Sequence, residues 1–423
     1  MTTMPNHYAS LSAAAHHFIK DARAALSGYS LWGRVGRVFW LLGPFILLIE
    51  RSPADLWLTL LAVSFLVRSC VRRDFSWSKP FWVRAVFAFW AVTLVSALVS
   101  SDPLYALGEA FIWIRFPLFA MATVFWLGQD KRLLYAMFIS TGLGMLAMCG
   151  ILVAELMIIG QVGGRLSWPY GDLTPGNYLA KAGLPAFSVM VALAVSVRGR
   201  IAAWMGALSL FTLVMSIMTG ERINFLIRAC GGMLAGLVWR PNWRRYAVLV
   251  IVEVIAVIAI SASSPSTTQR YVHTFIDQLP TGPHSPYYRT MAPGFIAFEE
   301  APILGIGTGN FRNLCPELVA GQSGLECHPH PHNYYIQMLA ENGIIGLIFG
   351  VVMLGSIIWV CFKGWLNNRD HVLAATAFVV PLGFFWPIAS SADFFGQWNN
   401  IFMWSAVALA LAAAHIKPEK PAE

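Results

Sequence analysis

The sequence predicts an all-α polytopic membrane protein with about 12 transmembrane helices. Three observations predict it. Apolar residues make up 57% of the 423-residue chain and charged residues only 12%, where a soluble domain carries about 25%. The apolar residues gather in runs near the ~20 residues that cross a hydrocarbon core. Lys and Arg fall in alternate short loops between those runs. Mean hydropathy is +0.62. The net charge of +8 is therefore a topology signal and not a surface for nucleic acid.

Taken in order, the chain opens on mixed polar residues, in which "HFIKDARAAL" has the pattern of a short amphipathic helix. The first strong apolar run, "VFWLLGPFILLI", is followed by many others, so it reads as a first span and not a cleaved signal. Spans are expected at 34–50, 54–69, 82–100, 108–127, 133–159, 178–197, 201–218, 222–239, 246–262, 333–361, 371–389 and 398–415.

The loop "RSCVRRDFSWSK" places Arg68, Arg72, Arg73 and Lys79 on one side. Lys131, Arg132, Arg198, Arg200, Arg240, Arg244, Arg245, Lys363, Arg369 and the basic residues of both termini join them. The alternate loops "SDPLYALG" and "SSADFFGQWNN" hold no Lys or Arg. Basic loops stay inside, so both termini are expected in the cytoplasm. The expected organisation is 1–262 as the cytoplasmic N-terminus with nine spans, 263–332 as one large external loop with short helices, and 333–423 as three more spans and a cytoplasmic tail.

Cys315 and Cys327 share the large loop. In an oxidising compartment they are candidates for a disulfide that closes a short loop before the histidines. Cys149 and Cys230 lie within spans and read as apolar filler.

Charge inside a bilayer costs about 2.5–3.5 kcal/mol for a central Arg on insertion scales, so each such residue needs a reason. Snorkelling or helix–helix contact accounts for Glu155, Arg228 and Glu253. Arg222 is different. It follows a very short external turn, "MTGER", and opens a helix whose N-terminus faces outward. Guanidinium groups and helix N-termini both favour anions. Arg115 and Lys181 enter from the same face. A pocket lined by Arg115, Lys181 and Arg222 suits a phosphorylated lipid head group.

In the large loop, Arg289 precedes Met291, Phe295, Ile296 and Phe298, apolar residues at helical spacing. "GIGTGNF" has three glycines, but no strand precedes it and the spacing is not that of a dinucleotide fingerprint. A Gly-rich turn before a second short helix fits better. Arg270 and Arg312 read as solvated loop charges.

The stretch "HPHPHNYYIQMLAENGIIG" puts His328, His330 and His332 at the mouth of an apolar helix. Alternating prolines favour an extended backbone on which histidines two apart diverge. The spacing matches no standard zinc pattern. Neutral imidazole is available at pH 7, which suits a general base. His332 is the best placed, directly before the span and beside Asn333, which is expected to cap it. Solvation in a loop is the remaining alternative.

His332–Asn333, nine residues, then Gly343–Ile344–Ile345–Gly346 resembles the signature of the O-antigen ligase family, a superfamily that includes O-antigen polymerases and protein O-oligosaccharyltransferases. "PILGIGTGNF" with upstream Arg289, and "TGERINFL" with Arg222, extend the resemblance, as do twelve spans with the large loop between the ninth and tenth. It covers chiefly residues 215–350. Glu221 departs from the pattern, because members often carry a small hydroxyl residue before that arginine.

The resemblance implies a metal-independent glycosyltransferase of GT-C-type architecture with no cofactor. It would lie in the bacterial inner membrane, with its site on the periplasmic side. The donor would be an undecaprenyl-diphosphate-linked glycan. The acceptor would be a sugar hydroxyl of lipid A–core, and the product complete lipopolysaccharide. His332 maps onto the catalytic histidine, and Arg222 and Arg289 onto essential arginines. Arg115, Lys181 and His330 are expected to bind substrate. An O-antigen polymerase uses the same donor with a lipid-linked glycan as acceptor. A transporter would show two-fold repetition and broken mid-membrane spans, and no repeat is visible.

Overall fold

The computed structural model describes residues 19–172, 174–263, 268–269, 271, 285–388 and 390–417. Arg270 lies outside them. The described residues form helices joined by loops, with one isolated β-bridge, Val162 to Arg165, and no strand among them.

Local chemistry sets the helix starts. Ser30 accepts from the Gly33 amide before α1 (Leu31–Ile46), and Glu50 precedes α2 (Arg51–Arg72). After α3 (Phe81–Leu98), Asp102 caps a helix whose first residue is Pro103, where no amide hydrogen is needed. That element, α4 (Pro103–Leu127), runs continuously through Arg115. Asp130 accepts from Arg132 and Leu133 at the head of α5 (Lys131–Ile158). A bent pair, Thr174–Ala182 and Leu184–Ser196, forms α6. Then come α7 (Arg200–Met218), α8 (Arg222–Val238) and α9 (Trp243–Ser263). The large loop supplies α10 (Pro286–Glu300) and α11 (Phe311–Leu318). The chain continues with α12 (Tyr334–Asn367), the broken α13 (Val372–Phe384) and α14 (Gln397–Ala414).

Each of the twelve segments expected to span therefore holds a helix. Seven are long and apolar enough to cross a membrane by themselves, and the bent α6 makes up to eight. α1 and α8 stop at 16 and 17 residues. α13 is interrupted near Phe378. α14 begins with the polar run Gln397, Asn399, Asn400.

α14 is buried on every side from Asn399 to Ala413, as expected for a helix apolar all round at the centre of a bundle. α9 is peripheral, with Ile251, Val254, Ile255 and Ile258 all exposed.

The loop before α11 crosses α12 at close range. Ile306 and Gly307 donate to the carbonyls of Ala340 and Glu341, and Ile344 donates to Pro302 at 2.9 Å. Gly343 (φ +66°, ψ −169°) leaves helical geometry at the crossing. A Cβ there would sit 2.3 Å from the Ile303 carbonyl oxygen, and one on Gly305 would sit 2.3 Å from the Glu341 carbonyl carbon. Glycine is required at both positions because two backbones touch. The Gly-rich turn is thus a lock between the large loop and α12.

Candidate active site

Asn333 caps α12: its side chain accepts from the amides of Tyr335 and Ile336. Its Nδ2 donates to the Pro387 carbonyl at 2.8 Å. Tyr335 donates its hydroxyl to the Phe385 carbonyl at 2.6 Å, and the Ser391 amide donates to the His332 carbonyl at 2.8 Å. The chain around His332 is fixed to the 385–391 segment.

The three imidazoles converge. His330 and His332 stack with centroids 4.5 Å apart, and His328 meets His332 edge-on at 4.9 Å. This corrects the expectation that they diverge. His332 takes φ +53°, a left-handed conformation in which His is enriched among non-glycine residues. That turn ends the extended path set by the prolines and folds the rings together. Nδ1 of His332 lies 3.2 Å from the His330 carbonyl oxygen. A carbonyl only accepts, so Nδ1 carries the hydrogen and Nε2 keeps its lone pair. Burial, then the neighbouring His330 and His328, lower the His332 pKa to about 4. Burial also lowers that of His330, against the pull of Asp393. His332 is neutral at pH 7.

Arg222 opens α8 and lines an apolar cavity of about 520 Å³. Ile227, Leu234, Met291, Val379 and Trp386 line the same space, with Ser390 at its edge. Ser390 is the neighbour of Ser391, which holds His332. The 390–391 segment therefore joins the Arg222 cavity to the backbone of the histidine turn, and none of the three histidines lines the cavity. Arg222 also borders a second cavity of about 500 Å³ between α8 and α9.

Glu221 has a local partner, Arg165, at 2.8 Å. Burial raises the Glu221 pKa, and Arg165, Arg222 and Lys181 pull it down. Three cations thus surround one carboxylate, which explains how an acid is tolerated beside Arg222. Arg165 had no signal in the sequence beyond its place in a short loop between two apolar runs.

The other expected site residues are placed as follows. Arg289, on α10, pairs with Glu326 at 2.9 Å and donates to the Gly324 carbonyl. Glu326 neighbours Cys327, which is joined to Cys315 in a disulfide. Arg115 pairs with Asp55 at 3.0 Å. Lys181 is buried and donates to Asn399. Neither Arg115 nor Lys181 lines the Arg222 cavity.

Arg312, expected as a solvated loop charge, instead pairs with Asp393 at 2.7 Å. Asp393 also accepts from Gln337 at 2.7 Å and from the Phe395 amide. Gln337 accepts from Phe394 and reaches Glu341, which accepts from the Gly309 amide at 2.8 Å. This network ties α11, the first two turns of α12 and the segment leading into α14 together.

A family model described as O-antigen ligase matches residues 207–351. No curated protein matches the chain. Among solved structures, one chain from "Structural coordination of polymerization and crosslinking by a peptidoglycan synthase complex" is similar at 15% identity with a TM-score of 0.48, over 79% of this chain and 96% of that one. Residues 207–351, which carry Arg222, Arg289, His330 and His332 and the whole of the large loop, are thus similar to the O-antigen ligase family.

Proposed function

We propose that this protein transfers a glycan from undecaprenyl diphosphate to a sugar hydroxyl of lipid A–core, at the periplasmic face of the bacterial inner membrane. The observation that carries this reading is the 390–391 segment, which lines the Arg222 cavity at Ser390 and bonds the His332 backbone at Ser391. An apolar cavity with a cation at its edge suits a polyprenyl chain ending in phosphate.

In this reading the acceptor hydroxyl gives its proton to Nε2 of His332 as its oxygen bonds to the anomeric carbon. The bond from that carbon to the diphosphate oxygen breaks, and the diphosphate leaves with the electron pair. Attack opposite the leaving group inverts the anomeric centre. A weak base at a pKa of about 4 gains strength when the donor's negative charge arrives nearby. Arg222 stabilises charge that grows as the bond breaks, at about 1.5–3 kcal/mol per charged hydrogen bond. Arg289 is held at the loop edge for the same work. Arg115 and Lys181, held by Asp55 and Asn399, bind other parts of the substrates away from the Arg222 cavity. The reading includes twelve spans and two cytoplasmic termini, which the Lys and Arg distribution supports.

The test is product formation by purified protein given undecaprenyl-diphosphate glycan and lipid A–core, with EDTA present. Glycan-bearing lipid A–core is the expected product, absent with His332→Ala. Lengthened lipid-linked glycan as the sole product would make the protein a polymerase. Loss of activity in EDTA would overturn the metal-free base.

A further inference from the structure

At the opposite end of the bundle from the histidines, α7, α9 and Ala194 of α6 enclose a groove of about 430 Å³. Its floor is Ala202, Ala203, Gly206 and Ala207 of α7. Val248 and Val252 of α9 form the facing wall, and Arg244 and Arg245 stand at its mouth. It runs from residue 202 to 210 of α7 and from 244 to 252 of α9, eight rises of about 1.5 Å or about 12 Å on each helix.

We infer that this groove binds an anionic phospholipid of the inner leaflet, with an acyl chain between α7 and α9 and the phosphate on Arg244 and Arg245. Three observations support it. First, the small side chains of α7 leave open an apolar space that hydrocarbon fills. Second, among the described residues none of Arg198, Arg200, Arg244 and Arg245 takes part in an ion pair, whereas Arg132 and Arg240 at the same face each have an aspartate. The positive charge at the mouth is uncompensated. Arg245 is steadied by donating to the Val197 carbonyl, and α7 and α9 both begin here, so their positive dipole ends add. Third, Trp204 and Trp243 are 63% and 66% exposed beside the mouth, where an interfacial aromatic belt places head groups. The Lys and Arg distribution puts this end in the cytoplasm.

Charge sorts the ligands. A zwitterionic lipid fills the groove but brings its own cation to the arginines. Inorganic phosphate meets the arginines but leaves the groove empty. An anionic phospholipid satisfies both.

The test uses full-length protein in detergent, titrated with dioleoylphosphatidylglycerol, dioleoylphosphatidylcholine or inorganic phosphate. Bound lipid is counted by native mass spectrometry, and the thermal midpoint is read in parallel. Phosphatidylglycerol is expected to stay bound and raise the midpoint, and the other two to do neither. R244Q/R245Q is expected to weaken phosphatidylglycerol about thirtyfold. R72Q/R73Q, at the same membrane face, is expected to leave it unchanged. Gly206→Leu fills the groove without touching charge, in a place where a Cβ meets only Ala194 at 3.8 Å. It is expected to abolish the shift. Equal retention of both lipids, a shift with phosphate alone, or a phosphatidylglycerol shift that survives both R244Q/R245Q and Gly206→Leu would each overturn the inference.

Discussion

The Ser391 amide holds the His332 carbonyl at 2.8 Å, so the candidate base is fixed through its backbone to the wall of the Arg222 cavity. The imidazole is then aimed by a left-handed turn at φ +53° and by the bond from Nδ1 to the His330 carbonyl. Position and tautomer come from the main chain.

This separates two effects of mutating His332. Asn tolerates the left-handed region, whereas Ala pays about 1–2 kcal/mol there. His332→Asn is expected to keep the thermal midpoint near wild type and to lose about 10²–10⁴-fold in transfer rate. His332→Ala is expected to lose both rate and stability. Parallel melting curves and turnover assays check this. A His332→Asn protein with a tenth or more of wild-type turnover would remove His332 as the base.

Stability should also depend on pH. His332 has a folded pKa of about 4, below the ~6.5 of an unfolded histidine. Between those values the unfolded chain binds a proton that the folded protein refuses. Stability from this site is therefore complete above about pH 6.5 and is lost as pH falls toward 4. His330 shifts in the same direction and adds to the trend. The wild-type midpoint is expected to drop across that window, and that of His332→Asn to drop less. Identical slopes would count against buried neutral imidazole.

Local signals in the sequence carried the helices and the cap. Apolar periodicity marks all twelve helical segments, and Asn333 before an apolar run reads as an N-cap. Long-range pairs carry no such mark. Arg312 and Asp393 are 81 residues apart, and Arg115 and Asp55 are 60 apart. Nothing near Arg312 shows that an acid from the last inter-helix segment will meet it. The histidine turn was hidden for another reason: proline favours extension, and tertiary bonds from Ser391 and Pro387 override it.

The Arg312–Asp393 pair offers a thermodynamic cycle. Asp393 is the more buried partner and serves three donors. Arg312 is over a third exposed, so screening discounts the pair. Arg312→Gln, Asp393→Asn and the double variant are expected to give a coupling of about 1 kcal/mol. Chemical denaturation in mixed micelles measures it. Additive single effects would show that the pair does not bind α11 to the α14 side of the bundle.

Gly343 and Gly355 lie on the same helix in opposite situations. Gly343 lies in backbone space nearly closed to other residues, with the Ile303 carbonyl against its Cβ position. Gly343→Ala is expected to cost more than about 3 kcal/mol from strain and contact together. Gly355 has nothing within 4 Å of a Cβ, and Gly355→Ala is expected to be neutral or stabilising by up to about 1 kcal/mol. Melting temperatures that rank the two the other way would contradict the lock between the Gly-rich turn and α12.

Cys315 and Cys327, 12 residues apart, close a short loop, and the cross-link opposes local opening of that loop by about 3 kcal/mol in chain entropy. That loop ends beside Glu326, which holds Arg289 by an ion pair and by a bond from its amide to the Arg289 carbonyl. Opening the loop therefore frees the arginine before it unfolds the bundle, since α12 and α14 are anchored elsewhere. C315A/C327A is expected to speed proteolysis within 319–326. It should raise the donor KM more than it lowers kcat, and leave the global melting temperature little changed. Dithiothreitol should do the same to wild type and nothing further to the double variant. If reduction leaves both proteolysis and KM unchanged, Arg289 is held by α10 alone and the staple has no part in positioning it.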